Sequence, residues 1–267
     1  MVVLMNFNKL GKSDLRVSSY CLGTMTFGEA TSEIDSHLQI DQSISSGINF
    51  IDTAEMYPTC PLREETTGDT EVIIGNWIEK NKSKRADFIL ATKISGKGYK
   101  AVRNGKGIDE KSIKIAIEGS LKKLKTDYID LYQLHWPNRG SYHFRQNWNY
   151  NPTNQDTNLT KDNINEVLNA LSDLQKEGKI RHIGLSNETC WGTSQFLDQL
   201  KNFPNLTIAS IQNEYSLLCR LYDLDMAEMS HHENISLLSY SPLAGGFLTG
   251  KYINDNVPNN SRLSRVP

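Results

Sequence analysis

Short apolar runs alternate along this chain with longer stretches of helical periodicity. The runs cover residues 19–23, 48–51, 88–92, 128–134, 180–185, 207–211 and 235–240, and they mostly lack strict in–out alternation. That is how strands covered on both faces read, as in a parallel sheet. Between them, Ile164, Val167, Leu168, Leu171 and Leu174 recur at helix spacing before Gly178, a residue suited to end a helix. Ile113, Ile117, Leu121 and Leu124 do the same behind Asp109, a side chain suited to cap a helix start. Ile34, Leu38 and Ile44 lead to Gly47 in a third such stretch. Strand–helix alternation of this kind predicts βαβ units around a parallel sheet.

Two segments depart from the alternation. Residues 7–17 hold Gly11-Lys12-Ser13-Asp14 between two short apolar pieces, which predicts a β-hairpin ahead of the main sheet. Residues 138–160 are rich in Asn, Tyr, Trp and Gly, and they outrun an ordinary strand-to-helix loop. Loops of that length commonly carry function. No repeat, low-complexity tract or linker interrupts the pattern, so one domain is expected over residues 1–267. The length lies near the roughly 250 residues of a (β/α)8 barrel and suffices to bury a large core.

Charge and composition narrow the partners. A net charge of -2 gives no electrostatic case for nucleic acid or an anionic membrane. The apolar N-terminal residues lack a preceding basic region and are too short a run for a signal peptide. No stretch approaches the roughly 18 apolar residues of a membrane span. The four cysteines, Cys21, Cys60, Cys190 and Cys219, form no CxxC pair and no metal-ligand spacing. They read as reduced thiols of a cytoplasmic protein, in which the sequons at Asn187, Asn205 and Asn259 go unused.

Candidate chemistry gathers at the ends of the apolar runs. They finish in Asp52, Lys93, His135, Ser186-Asn187, Gln212-Asn213 and Ser239-Tyr240-Ser241. Charged groups are rarely buried without partners, and the strand ends of a parallel barrel converge on the face where active sites lie. Asp52 and Lys93 are thus candidate partners, and Tyr57, five residues after Asp52, can hang over them. The set suggests proton donation from a phenol: a lysine ammonium favours the phenolate, an aspartate holds the lysine, and a histidine donates to a substrate oxygen. Taken singly, each residue has a blander reading. Asp52 suits a helix cap, Lys93 a solvated strand end, and His135 a satisfied core histidine. The combination on three successive strand ends carries the weight.

Other signals are weaker. Gly96-Lys97-Gly98 and Gly105-Lys106-Gly107 lack the spacing of a phosphate loop and read as a flexible loop. The absence of GxGxxG argues against a Rossmann cofactor site. His231-His232-Glu233 precedes a strand and has no further ligand at useful spacing, so it reads as a solvated helix end and no metal is expected.

Residues 49–57, Asn-Phe-Ile-Asp-Thr-Ala-Glu-Met-Tyr, resemble the aldo-keto reductase block that holds the catalytic Asp and Tyr. Leu90-Ala91-Thr92-Lys93 is similar to the block with the catalytic Lys, and residues 127–135 to the block with the catalytic His. Residues 178–187 and 240–246 are similar to the cofactor-cradling blocks. The His135-Trp136-Pro137 sequence, the long loop after it and Ser186-Asn187-Glu188-Thr189 look most like the bacterial Tas-like branch of that family; the potassium-channel β-subunits are more distant. The resemblance runs from about Leu4 to Tyr252.

It implies an α/β fold, the (β/α)8 TIM barrel, binding NADP(H) across its C-terminal face. Hydride would pass between the cofactor and an aldehyde or ketone, with Asp52, Tyr57, Lys93 and His135 catalytic. By position, Ser186, Asn187 and Gln212 would hold the carboxamide, and Tyr240 would stack on the nicotinamide. Gly23, Thr24 and Met25 would flank that ring beside Asp52. Ser241, Leu243, Gly245 and Lys251 would lie along the pyrophosphate. One departure stands out: seven barrel-type strands are legible, without the eighth strand and last helices, so a C-terminally incomplete barrel is expected. A cofactor-binding regulatory subunit and an inactive fragment are the alternative readings.

Overall fold

The computed structural model of the protein describes residues 5–265. The apolar N-terminal residues 1–4, including Leu4 where the resemblance begins, and residues 266–267 lie outside the described residues. The expected hairpin is present, with β1 (Phe7–Lys9) paired antiparallel to β2 (Arg16–Ser18). Seven parallel strands follow in sequential order: β3 (Leu22–Gly23), β4 (Phe50–Asp52), β5 (Ile89–Ile94), β6 (Ile129–Leu134), β7 (Ile180–Ser186), β8 (Ile208–Glu214) and β9 (Ser236–Tyr240). The helices α1 (Glu33–Ser45), α2 (Asp69–Lys80), α3 (Glu110–Leu124), α4 (Thr157–Lys176), α5 (Cys190–Leu200) and α6 (Met226–Glu233) connect successive strands. A short α7 (Arg262–Arg265) lies beyond β9. Among the described residues the parallel sheet runs from β3 at one edge to β9 at the other, the seven strands that the sequence predicts.

The sheet is curled. Strands about 4.8 Å apart would put β4 and β8 roughly 19 Å apart in a flat sheet. Yet Gln212 Nε2 on β8 donates to Asp52 Oδ1 on β4 over 3.1 Å, so the inward faces meet across a shared interior. The outward faces pack under the helices, with Ile74, Ile117, Leu168, Leu171, Tyr132 and Ile183 in one buried cluster. The hairpin seals the opposite end of the interior. Its Leu10, Leu15 and Val17 pack against Phe50, Ala91, Leu131 and Ala209, and Gly11 donates its N–H to Ser236 Oγ at 2.8 Å. Gly11 has φ +52°, and a Cβ there would lie 2.3 Å from the Ala209 carbonyl oxygen, so only glycine fits.

Several boundaries differ from the sequence reading. The first barrel strand is confined to Leu22–Gly23, because the chain up to Ser18 is spent on the hairpin. Lys93 sits inside β5 rather than at a solvated end, and β8 runs on through Gln212 and Asn213. The long loop ends at residue 156, because the Asp156 carboxylate caps α4 early, accepting from the N–H groups of Asn158 and Leu159. Asp109 caps α3 as expected. Ile34 and Leu38 are exposed, whereas α1 buries the face carrying Ser36 and Ile40. No helix among the described residues is long and apolar enough to cross a membrane.

Candidate active site

Register brings the first residues of the site together. Asp52 pairs with Ala91, so Lys93 lies two residues further along the same inward face. Lys93 pairs in turn with Gln133 on β6. Lys93 is fully buried, and its Nζ lies 2.5 Å from Asp52 Oδ2 and 2.8 Å from the Thr53 carbonyl oxygen. The other carboxylate oxygen of Asp52 accepts from Gln133 Nε2 at 2.8 Å and from Gln212 Nε2 at 3.1 Å. Thr24 donates from both its N–H and its hydroxyl to the Asp52 carbonyl oxygen, at 3.1 and 2.8 Å. A buried charge pair survives when geometry and extra hydrogen bonds replace lost solvation, and Asp52 and Lys93 have both. The helix-cap reading of Asp52 and the solvated reading of Lys93 are therefore overturned.

The half-buried Tyr57 lies over this pair. Lys93 Nζ donates to its phenolic oxygen at 3.4 Å and sits 4.8 Å from the ring centroid. Burial pushes the phenol above its ordinary value, and the Lys93 charge pulls it only part of the way back. The lysine acts in the expected direction, but it is outweighed. Burial likewise opposes the Lys93 ammonium, yet the Asp52 charge and the phenol together hold it above the usual lysine value.

His135 follows β6 and meets Tyr57 edge-on, with ring centroids 5.6 Å apart. Its backbone N–H donates to Ile94 O at 2.9 Å, and its carbonyl accepts from Asn187 Nδ2 at 2.9 Å. Burial, and then the Lys93 charge, keep the imidazole well below its ordinary value, so it is neutral at pH 7. Its Nδ1 is buried without a protein partner, unlike a satisfied core histidine.

A second group adjoins the first. Asn187, at φ +52°, donates to His135 O and to Ser186 Oγ, and accepts from the Tyr240 hydroxyl at 2.8 Å. Ser186 Oγ donates to Gln212 O at 2.8 Å. Gly23 pairs with Asp52 across β3 and β4, and a Cβ on it would meet nothing within 4 Å. Met25 accepts from the Thr59 N–H on the Tyr57 loop. Ser241, Leu243, Gly245 and Lys251 lie apart from this group. Among the described residues, the hydrogen bonds of segment 241–265 stay within the segment. Its backbone turns through positive φ at Ser241, Ala244, Gly245 and Gly246.

Three contributors escaped the sequence reading. Gln133 fixes Asp52, and its signal is a lone amide in a fully buried strand. Glu55 accepts from the Ser95 N–H and pairs with Arg103, which also donates to Ser95 O at 2.9 Å. That ties the Tyr57 loop to the end of β5, using a residue from the stretch read as flexible. Glu188 pairs with Arg139 from the long loop. A cavity of about 980 Å³ opens between residues 97–109 and α4, lined by Trp136, Asn138, Arg139, Leu185 and Glu188 among others. Asp52, Tyr57, Lys93 and His135 do not line it. His231 and His232 fall in the last turn of α6, as read.

A curled parallel β/α sheet with a lysine–aspartate pair, a phenol and a neutral imidazole gathered at its C-terminal face has the architecture of the β/α-barrel class. The model of the aldo/keto reductase family matches residues 20–266. The chain belongs to the aldo/keto reductase family, whose fold is the (β/α)8 barrel and whose members are oxidoreductases. It is similar to Protein tas of Escherichia coli (strain K12), 44% identical over 97% of this chain and 74% of that protein. The Uncharacterized oxidoreductase YrpG of Bacillus subtilis (strain 168) is 31% identical over 94% of this chain and 71% of that one. Norsolorinic acid reductase B of Dothistroma septosporum is 29% identical over 91% of this chain and 57% of that one.

Proposed function

We propose that the protein transfers hydride between NADP(H) and an aldehyde or ketone, with Tyr57 as the general acid. The observation that carries this is the phenol of Tyr57 held 3.4 Å from a lysine ammonium that Asp52 keeps charged and in place. When bound, the cofactor supplies the hydride. As hydride reaches the carbonyl carbon, negative charge grows on its oxygen, and the Tyr57 hydroxyl delivers the proton there. Lys93 stabilises the phenolate left behind, and Asp52, fixed by Gln133 and Gln212, orients Lys93. The neutral His135 donates a hydrogen bond to the same oxygen without competing as an acid.

The polar set fits a nicotinamide. Ser186, Asn187 and Gln212 bring a hydroxyl and two side-chain amides to one place; their O–H and N–H groups are bonded within the protein, and their oxygens would accept from the N–H groups of a carboxamide. Tyr240, bonded to Asn187, would stack on the ring, and the open space at Gly23, with Thr24 and Met25, would give the ring room beside Asp52. Ser241, Leu243, Gly245 and Lys251 would then follow the pyrophosphate, along a segment that turns through positive φ. Residues 1–267 would act as one domain, in the cytoplasm, where thiols such as its four free cysteines stay reduced.

The test is NADPH fluorescence titration beside an NADH control, followed by turnover of a carbonyl panel. Saturable binding that prefers NADPH, with turnover of a panel aldehyde, supports the reading. NADPH binding without any turnover would assign the protein to a cofactor-sensing role instead.

A further inference from the structure

We infer that Arg139 and Glu188 are a positioning pair that locks the 138–156 loop onto the turn carrying Asn187, and so sets where that amide stands relative to His135. The inference rests on the reductase reading of the site.

The pair is a two-pronged ion bridge. Arg139 Nη1 lies 2.9 Å from Glu188 Oε2, and Nη2 bonds Glu188 Oε1. Both side chains are withdrawn from water, at 9% and 3% exposure. Such a fork holds direction as well as distance. Nη2 also reaches Thr189 Oγ1 at 3.2 Å, and the guanidinium lies 5.1 Å from the centre of the Trp191 ring.

Around the bridge the loop grips the turn by its backbone. Ser141 Oγ donates to Asn187 O at 2.9 Å, and His143 Nε2 lies 3.1 Å from Glu188 O. Burial holds His143 at about 4, so it is neutral there and donates. Gln155 Nε2 returns to Arg139 O at 3.1 Å, closing the loop on itself. The residue gripped between these contacts, Asn187, holds φ +52°, a left-handed conformation that asparagine adopts more readily than most side chains. The same Asn187 bonds His135 O and the Tyr240 hydroxyl. A buried ion bridge is weak as a source of stability, since apolar residues of equal volume do as well. Its place here is better explained by the geometry it imposes.

Gly192 supplies an independent sign of the same device. It is the third residue of α5, where glycine is a poor helix former. A Cβ at this position would lie 2.2 Å from both Arg139 Nη2 and Glu188 Oε1, so the bridge requires the missing side chain.

The experiment compares wild type with Arg139→Ala, Arg139→Lys, Gly192→Ala and the Arg139→Ala/Gly192→Ala double variant. Three quantities are read: NADPH affinity, kcat and KM for 4-nitrobenzaldehyde, and amide exchange of the cofactor-free protein at residues 141–143 and 187–189. Arg139→Ala is expected to weaken NADPH binding roughly 2- to 30-fold. Its kcat should fall about 10- to 100-fold, the scale of a 1 Å misplacement, and exchange should speed up at both segments together. Arg139→Lys should recover part of each effect. Gly192→Ala should imitate Arg139→Ala alone and add nothing to it in the double variant.

Wild-type kcat and NADPH affinity in Arg139→Ala would overturn the positioning role, whatever its melting temperature. An inert wild type would instead overturn the reductase reading, and the positioning role with it. If Arg139→Ala does not fold, Arg139→Lys carries the same comparison at smaller amplitude.

Discussion

Lys93 Nζ stands 2.5 Å from Asp52 Oδ2, in an interior where the lysine has no contact with water. Each charge is the condition for the other's burial. Replacing Lys93 by Met would leave Asp52 with two amide donors and no counter-charge, at a cost of about 3–5 kcal/mol. Asp52→Asn should cost a similar amount, and the double variant less than the sum, because the two act as one unit. Urea unfolding of the four proteins at pH 7 measures this. Strict additivity would mean the pair is not coupled.

Tyr57→Phe removes the hydroxyl while leaving Lys93 bonded to Asp52 and Thr53. Turnover should drop about 10²- to 10⁴-fold, with NADPH affinity and urea midpoint near wild type. Unchanged turnover would remove Tyr57 from the chemistry.

The balance of burial against the Lys93 charge leaves the Tyr57 phenol above its ordinary value of 10. Reduction consumes the protonated phenol, so kcat/KM, which reports the free enzyme, should show no alkaline decline below about pH 10. A decline centred near pH 8 would mean that the lysine charge outweighs burial.

His143 and His135 are both held neutral by burial, His143 down to about 4. A group with a depressed folded value binds fewer protons folded than unfolded across the window between the two. Its stabilising effect is therefore complete above about pH 6.5 and is lost as pH falls toward 4. For His143 the loss approaches about 3 kcal/mol. His143→Gln keeps a donor toward Glu188 O without titrating, so its stability should fall less steeply than wild type between pH 6.5 and 4.

Gly75 lies in α2, where a Cβ would sit 1.9 Å from the Lys123 carbonyl oxygen of α3. Helix propensity alone would make Gly75→Ala stabilising by roughly 1 kcal/mol. The close approach of the helices reverses the sign, so the melting temperature should fall. A rise would mean that α2 and α3 move apart without cost.

The linear pattern determined the order of strands and helices, the hairpin, and which polar residues fall at the sheet's C-terminal end. Burial periodicity and the need to pair charges are properties of neighbours in sequence, and they survive any detail of packing. Asp52, Lys93 and His135 were legible as candidates for that reason, and Tyr57 by its place five residues after Asp52. Tertiary structure alone decided that the sheet curls far enough for Gln212 to reach Asp52, and that Gln133 joins them. It also decided the choice of arginine for each carboxylate, Arg103 for Glu55 and Arg139 for Glu188, across 48 and 49 residues of chain. Those partners are selected by the twist and register of strands far apart in sequence, and no local pattern encodes that distance. The same holds for Tyr57: the sequence supplied a lysine to lower its pKa, and the depth of burial outweighed it.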